Sequence, residues 1–152
     1  MKAKANDAIA LLTSEHRQVS ELFKQFEELG DRANAKKKKI VDALCTALMV
    51  HARIEEEIFY PAVRDSVKDA DDLVDEAAVE HASAKDLFLQ LQEMDPEDDL
   101  YDAKVKVLSE QIAHHVKEEE TEMFPQAKKS EIDMVALGEE LAMRKDELLA
   151  TM

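Results

Sequence analysis

Apolar residues recur at intervals of three or four positions along most of this chain, which predicts a series of amphipathic helices. The first predicted helix covers residues 7–29, and Gly30 is expected to close it. The second covers about 35–66, and Pro61 should kink this helix or end its regular part, because proline has no N–H to donate. The pattern therefore predicts an all-α fold.

The second half of the chain repeats this arrangement. A third helix is predicted from a polar start at 69–72, which offers several possible N-caps, to the break at Asp95 and Pro96, and a fourth from about Glu97 to the region of Pro125. A fifth, covering 132–149, would pack as a C-terminal appendage. Because short connections favour antiparallel neighbours, we expect an up-down-up-down four-helix bundle with an extra C-terminal helix.

Length and composition agree with one helical domain. The chain has 152 residues, of which two are Gly and three are Pro. We expect a single domain over residues 1–152, with the bundle core at about 7–128 and the C-terminal helix at about 131–150.

The chain is strongly acidic, with a formal net charge of −15. Such a charge repels phosphate backbones and anionic lipid surfaces, so neither nucleic acid nor a membrane is an expected partner. No apolar stretch has the length of a signal peptide or a membrane span, and a cytoplasmic location is predicted.

Two local features are interpreted as structural. Cys45, the single cysteine, falls on an apolar helix face and is predicted to pack in the core; a redox-sensing thiol is the alternative. The lysines at 36–39 are interpreted as a solvated helix start.

An internal repeat is the most informative feature of the sequence. His51, Glu55 and Pro61 recur 64 positions later as His115, Glu119 and Pro125. The pairs Glu15-His16 and Leu22-Phe23 recur 65 positions later as Glu80-His81 and Leu87-Phe88. Each half of the chain therefore contributes one His from its first helix and a His-x-x-x-Glu pair from its second.

These ionisable residues lie on the core-facing stripe and predict a metal site. His and Glu four positions apart share one helix face, so both side chains reach a common ion. Burying two unpaired glutamates is costly, and divalent cations offset that cost. Six ligands in two equivalent sets predict a dinuclear centre in the core. The predicted ligands are His16, His51, Glu55, His81, His115 and Glu119.

Two alternatives remain open on these residues alone. The glutamates can pair with protonated histidines as buried ion pairs without any metal. Zinc or manganese can also take the same ligands as iron, in a structural role.

The doubled pattern His, His-x-x-x-Glu, with an aromatic residue and Pro after each pair, closely resembles the hemerythrin-like domains, also called HHE cation-binding domains. The resemblance covers roughly residues 8–130. It implies a four-helix bundle around a non-haem di-iron centre with an oxo or hydroxo bridge. It also implies that His16 and His51 serve one iron, that His81 and His115 serve the other, and that Glu55 and Glu119 bridge them.

The chain departs from oxygen-carrying hemerythrins at two positions. Those proteins place a further His four residues after the one matching His81, where this chain has Lys85; they also use an Asp where Glu119 stands, at a different spacing. Lys85 can pair with a ligand carboxylate, leave a coordination position open, or extend outward past the site. Simple oxygen carriage is therefore not the expected function.

Several neighbours of the predicted ligands receive weaker assignments. His114 points about 100° away from His115 and is expected at the surface or behind the ligands. Most of the flanking glutamates are expected to be solvated; the alternative is that one of them supports a ligand by a hydrogen bond or replaces a bridging carboxylate. Tyr60 and Lys85 are candidates for roles near the site, although packing at the end of the bundle is the default expectation for the tyrosines. The flanking glutamates are Glu56, Glu118 and Glu120, and the second tyrosine is Tyr101.

The resemblance and the ligand set lead to two functional hypotheses. The first is binding or redox chemistry of a small molecule, namely oxygen, nitric oxide or peroxide, with catalase-like or peroxidase-like decomposition of peroxide favoured. The second is a non-enzymatic module that binds iron or senses iron or oxygen. The sequence leaves monomer and dimer equally open.

Overall fold

The computed structural model describes residues 7–30 and 32–152, and helices account for nearly all of the described chain. The helices are α1 (Ala8–Glu27), α2 (Asn34–Ile54), α3 (Tyr60–Ser66), α4 (Asp71–Glu93), α5 (Tyr101–Glu118), α6 (Phe124–Lys129) and α7 (Met134–Ala150). Two π-helical turns, π1 (Glu55–Phe59) and π2 (Glu119–Met123), join α2 to α3 and α5 to α6. In the described residues there is no strand, which confirms the all-α prediction. None of the described helices is long and apolar enough to cross a membrane.

The four long helices α1, α2, α4 and α5 surround one core. Helix α1 packs against α2 and α5, and α4 packs against the same two helices. The helix α7 lies outside this bundle against α1, α2 and π1. The predicted four-helix bundle with a fifth helix is therefore confirmed.

The core consists of two apolar clusters with a polar layer between them. The proximal cluster includes Leu12, Ile54 and Phe59, and the distal cluster includes Leu44 and Leu108. The buried histidines of the repeat, on the long helices, and its buried glutamates, at the start of the two π turns, lie between these clusters. Apolar packing on both sides therefore fixes the position of the polar layer.

The C-terminal helix contributes to this core. Leu137 and Leu141 of α7 are buried in the proximal cluster, and the side chain of Asp133 caps the helix by accepting a hydrogen bond from the Ala136 N–H (3.1 Å). Helix α7 therefore packs along α1 and α2 and extends the proximal cluster on that side of the bundle.

Two predicted helix ends differ from the structure. Gly30 does not adopt a positive φ, so the first helix ends at Glu27 without a left-handed glycine cap. The fourth long helix begins at Tyr101 instead of Glu97. The backbone N–H of Asp95 donates to the Asp98 side chain (3.0 Å), and this local hydrogen bond favours a turn over helix.

The lysine run is only partly solvated, contrary to the sequence interpretation. Lys37 is buried, and its ammonium group lies 3.0 Å from Asp102 and over the ring of Phe26. Lys38 donates to the backbone carbonyls of Gln92 and Met94 at the end of α4. These two lysines tie the start of α2 to the second helix pair.

Candidate metal centre

A π turn follows each His-x-x-x-Glu pair. His51 lies in the last turn of α2, and Glu55 is the first residue of π1; His115 and Glu119 have the same relation to α5 and π2. In a regular α-helix, residues five apart point in different directions, whereas a π turn brings them onto one face. Each π turn therefore places the aromatic residue before proline beside the glutamate of the pair.

The six residues predicted as ligands meet in the polar layer. His16, His51, Glu55 and Glu119 form half-site 1, in which one donor atom from each residue lies within 4.8 Å of the others. Glu55, His81, His115 and Glu119 form half-site 2, which meets the same distance limit. All six residues are buried, and both glutamates belong to both half-sites. The structure thus places two groups of four donors side by side, which is the arrangement that two ions with shared carboxylates require.

Several donor atoms have no hydrogen-bond partner among the described residues, although they are buried. They are Nε2 of His16 and His51, Oε2 of Glu55 and Oε1 of Glu119. Nε2 of His16 lies 3.0 Å from Oε1 of Glu119, but the two atoms do not form a hydrogen bond. Buried polar atoms are rarely left without a partner. Because these atoms converge on a common point, a bound cation would supply the partner that each of them lacks.

The other ring nitrogen of each histidine is held by a second glutamate. Nδ1 of His16 contacts Glu120 at 2.7 Å, and Nδ1 of His51 contacts Glu15 at 2.6 Å. In the second half of the chain, Nδ1 of His81 contacts Glu56 at 2.8 Å, and Nδ1 of His115 contacts Glu80 at 2.6 Å. A carboxylate on Nδ1 turns Nε2 and its lone pair inward, which is the usual support for a metal-binding histidine.

These four contacts form a closed ring around the bundle. Helix α1 holds the histidine of α2 through Glu15, and π1 holds the histidine of α4 through Glu56. Helix α4 then holds the histidine of α5 through Glu80, and π2 holds the histidine of α1 through Glu120. Every long helix of the bundle is therefore linked to two others at the level of the site.

The sequence predicted that at most one flanking glutamate supports a ligand, whereas Glu56 and Glu120 both do so, and the roles of Glu15 and Glu80 were overlooked. The signal was present in the repeat, because Glu15-His16 recurs as Glu80-His81. A glutamate next to an inward-facing histidine points toward the neighbouring helix, where it meets the histidine of that helix.

The close packing of acids and imidazoles changes their protonation. Burial by itself lowers the pKa of His51, but the charge of Glu55 and the hydrogen bond that His51 donates to Glu15 raise it well above its ordinary value. Burial also lowers the pKa of His81 and of His115, but hydrogen bonds to their glutamate partners outweigh this effect and raise both pKa values to about 9. Glu55 shows the opposite direction: burial favours a raised pKa, but His51 holds the pKa well below its ordinary value. Since metal ions bind neutral imidazole, protons and cations compete for this cluster.

Tyr60 lies within half-site 2 instead of only packing at the end of the bundle. Its hydroxyl oxygen is 3.0 Å from Oε1 of Glu55 and donates a short hydrogen bond to Oε2 of Glu119. The same oxygen is 3.1 Å from Nε2 of His81 and 3.2 Å from Nε2 of His115. Burial and the charges of Glu55 and Glu119 raise the pKa of Tyr60 well above its ordinary value. Tyr60 is therefore in contact with all four residues of half-site 2.

The remaining candidates lie away from the donor atoms. Lys85 is exposed and lines a surface cleft with Tyr60 and His81, so its side chain extends outward. His114 is exposed and lies 3.7 Å from Glu80. Tyr101 is buried in the distal cluster.

A small cavity adjoins the centre on its distal side. It measures about 30 Å³ and is lined by all four histidines of the site together with apolar residues such as Val19, Leu48 and Phe88. A volume of 10–15 Å³ accommodates roughly one water molecule, so this cavity has room for a molecule of about two heavy atoms.

Cys45 belongs to the core, as predicted, and not to this site. Its thiol donates to the backbone carbonyl of Phe88 (3.3 Å), and burial raises its pKa to about 12. A thiol with this pKa is a poor nucleophile at neutral pH.

Comparison with known proteins agrees with this geometry. The family model of the hemerythrin HHE cation binding domain matches residues 7–127. A protein from Nostoc sp. named DNA nickase is 26% identical over 114 residues, which are 75% of this chain and 31% of that protein. The chain thus spans about a third of the length of that curated relative.

A solved structure shows the same fold. It is the crystal structure of a hemerythrin HHE cation binding domain-containing protein from Mycobacterium kansasii, with a TM-score of 0.82 and 24% sequence identity. The alignment covers 95% of this chain and 88% of that protein. Because the family model spans most of the sequence and includes every residue of the two half-sites, this chain belongs to the hemerythrin HHE cation-binding domain family.

Proposed function

We propose that this domain binds two non-haem iron ions, one in each half-site, with Glu55 and Glu119 as shared ligands. The observation that carries the proposal is the pair of overlapping donor clusters, which have these two glutamates in common. Two separate metal sites would not need shared carboxylates, whereas carboxylates that bridge two ions are typical of dinuclear centres in helical bundles. The mixed imidazole and carboxylate donors suit iron, and they also suit zinc and manganese. Metal analysis of the purified protein, together with its absorption spectrum, decides among the three metals and gives their number.

The reaction we propose for this centre is with a small oxidant, and decomposition of hydrogen peroxide is the favoured activity. An iron pair supplies the two-electron redox capacity with which two molecules of hydrogen peroxide become two of water and one of oxygen. The cavity of about 30 Å³ beside the four imidazoles supports this choice, because it admits oxygen, nitric oxide or peroxide and excludes larger substrates.

The side chains around the centre have two tasks in this function. The four glutamates on the Nδ1 atoms hold the imidazole rings with Nε2 facing inward, so the donors need little rearrangement. The apolar walls, which include Leu48 and Phe88, keep bulk water away from the centre.

Peroxide turnover by the iron-loaded protein tests this proposal, with oxygen release as the measurement. Ala84 lines the cavity, so the larger side chain in Ala84→Val should reduce the volume of the cavity. We expect this variant to react more slowly with peroxide and to bind the same amount of iron as the wild type. Ala103→Val, at an exposed position of α5, is the matched control and should react like the wild type. If the iron-loaded protein neither consumes peroxide nor changes its absorption with peroxide, oxygen or nitric oxide, the proposed chemistry is wrong.

A sensing role is the second candidate, and the docking of α7 favours it. Lys145 of α7 lies 2.8 Å from Glu15, which supports His51, and Arg144 binds Glu57 in π1. A change in metal or ligand binding at His51 can therefore alter the contact between Glu15 and Lys145 of the C-terminal helix. Turnover separates the two roles, because an enzyme consumes many equivalents of peroxide whereas a sensor reacts once.

The nickase activity named for the Nostoc protein is not part of this proposal. The chain matches only 31% of that protein, and its net charge of −15 opposes binding to a phosphate backbone. Incubation with supercoiled plasmid tests this expectation, and nicking that depends on the added protein would contradict it.

A further inference from the structure

The two halves of the repeat differ at one position that faces the centre. Tyr60 and Phe124 are 64 residues apart, and each is the aromatic residue before the proline that follows a His-x-x-x-Glu pair. Phe124 stacks on His16 at 5.9 Å between ring centroids and brings no polar atom to half-site 1. Tyr60 brings a hydroxyl oxygen to half-site 2. The pseudo-symmetry of the site is therefore broken by one oxygen atom.

The surroundings of this oxygen exceed what a phenol can satisfy. The Tyr60 oxygen lies close to carboxylate oxygens of Glu55 and Glu119, but it has only one proton to donate to them. Nε2 of His81 and of His115 also lie within 3.2 Å of it, and these two nitrogens are 3.2 Å apart. Five donor atoms, namely this oxygen, two carboxylate oxygens and two imidazole nitrogens, thus surround one small volume.

A hydrogen-bonding role alone does not account for this position. A tyrosine that only supported one glutamate would approach that glutamate from outside the donor cluster. The Tyr60 oxygen instead contacts a donor atom of every residue in half-site 2, and the side chain is buried with 3% of its surface exposed. The π1 turn explains how it reaches this place, since Glu55 and Tyr60 are five residues apart.

We propose that Tyr60 is a ligand of the metal ion in half-site 2, which it binds as phenolate. The inference rests on the proposed iron binding and adds a seventh protein ligand to the six. As the metal–oxygen bond forms, the phenol gives up its proton to solvent, and no electron is transferred in this step. The harder oxygen donor favours ferric iron over softer ions at this position.

This ligand makes the two half-sites chemically different. Half-site 2 has five protein ligands, and half-site 1 has four, namely His16, His51, Glu55 and Glu119. An ion bound in half-site 1 would therefore have fewer protein ligands and more coordination positions for an external molecule. We assign the binding of the small external molecule to half-site 1 for this reason.

The visible spectrum of the oxidised, iron-loaded protein tests the assignment. A tyrosinate ligand of ferric iron gives a phenolate-to-iron charge-transfer band, and resonance Raman excitation within that band enhances the ring modes of tyrosine. We expect both signals in the wild-type protein. Tyr60→Phe should abolish them while two iron ions per chain remain bound. Tyr101→Phe removes the other hydroxyl of the two tyrosines, lies in the distal cluster and should leave both signals unchanged.

The outcomes separate this inference from the proposed function. Wild-type protein that binds two iron ions but shows no tyrosinate modes overturns the Tyr60 assignment alone. Signals that persist in Tyr60→Phe, or that disappear in Tyr101→Phe, overturn it as well. Wild-type protein that binds no iron overturns the proposed function instead. The test does not depend on whether Tyr60→Phe folds. Absence of tyrosinate modes in the wild type overturns the assignment, and their presence in both the wild type and Tyr101→Phe assigns them to Tyr60, since the chain has two tyrosines.

Discussion

Substitution of Glu15 by glutamine is the sharpest test of the glutamate ring. Glu15 is buried and accepts a hydrogen bond from Nδ1 of His51 at 2.6 Å. Glutamine keeps the shape and can still accept this hydrogen bond, but it removes the negative charge that strengthens His51 as a donor to metal. The substitution therefore changes one property of the ring.

The expected magnitude follows from burial. Loss of a supporting carboxylate typically lowers metal affinity by about 10–100-fold, which is about 1.4–2.7 kcal/mol. The loss of metal affinity in Glu15→Gln should lie toward the upper end of this range, because Glu15 and His51 are both shielded from solvent. Glu120→Gln acts on His16 in the same half-site but should lie toward the lower end, since 38% of the Glu120 side chain is exposed.

Competition titration with a metal-binding dye measures the dissociation constant of each variant. Glu21→Gln, at an exposed position of the same helix, should bind metal like the wild type. Lys145→Gln controls for the ion pair with α7, which Glu15→Gln also removes. Equal affinity of Glu15→Gln and wild type would refute the supporting role. An equal loss in Lys145→Gln would assign the effect to the docking of α7.

Three further predictions concern stability and the thiol. Removal of metal should lower the melting temperature by roughly 10 °C, because ligand at 1,000 times its dissociation constant stabilises the folded state by about 4 kcal/mol; equal melting temperatures would argue against a metal-stabilised bundle. Leu12→Ala, at a fully buried position, should lower the free energy of unfolding in urea by about 2–5 kcal/mol, whereas Leu89→Ala, at a partly exposed one, should cost less. The Cys45 thiol, with its pKa raised to about 12, should resist a thiol reagent at pH 8 until denaturant unfolds the chain, and fast labelling of folded protein would contradict its buried position.

The periodic pattern predicted the helices well because burial on one face repeats every turn. The five predicted long helices are all present, and their bounds differ from the prediction by a few residues. The start of the fourth was wrong because the turn at Asp95 depends on a side-chain hydrogen bond, which hydrophobic periodicity does not report. The π turns were equally hidden. The regular helix α2 already ends at Ile54, and Pro61, which was expected to kink this helix or end its regular part, lies in the first turn of α3 after the π turn.

The candidate site was only partly predictable from sequence. The six residues proposed as ligands come together, and their binding to iron stays a prediction. In a regular α-helix, residues three or four positions apart share one face, and this rule identified the His-x-x-x-Glu pairs. Glu55 and Tyr60 are five positions apart and come together only because a π turn lies between them. The partners of Glu15 and Glu80 lie on other helices, so helical spacing alone could not identify them.

The ring of glutamate–histidine contacts also sets the smallest unit that can form this centre. One helical hairpin, α1 with α2 and π1, contains a single link of the ring, from Glu15 to His51, and leaves His16 and Glu56 without partners. The second hairpin, α4 with α5 and π2, contains only the link from Glu80 to His115 and leaves His81 and Glu120 without partners. Only the pair satisfies all four histidines, and a slide of one hairpin by a helical turn would break two of the links. The complete centre can therefore form only when the two halves of the chain are correctly aligned.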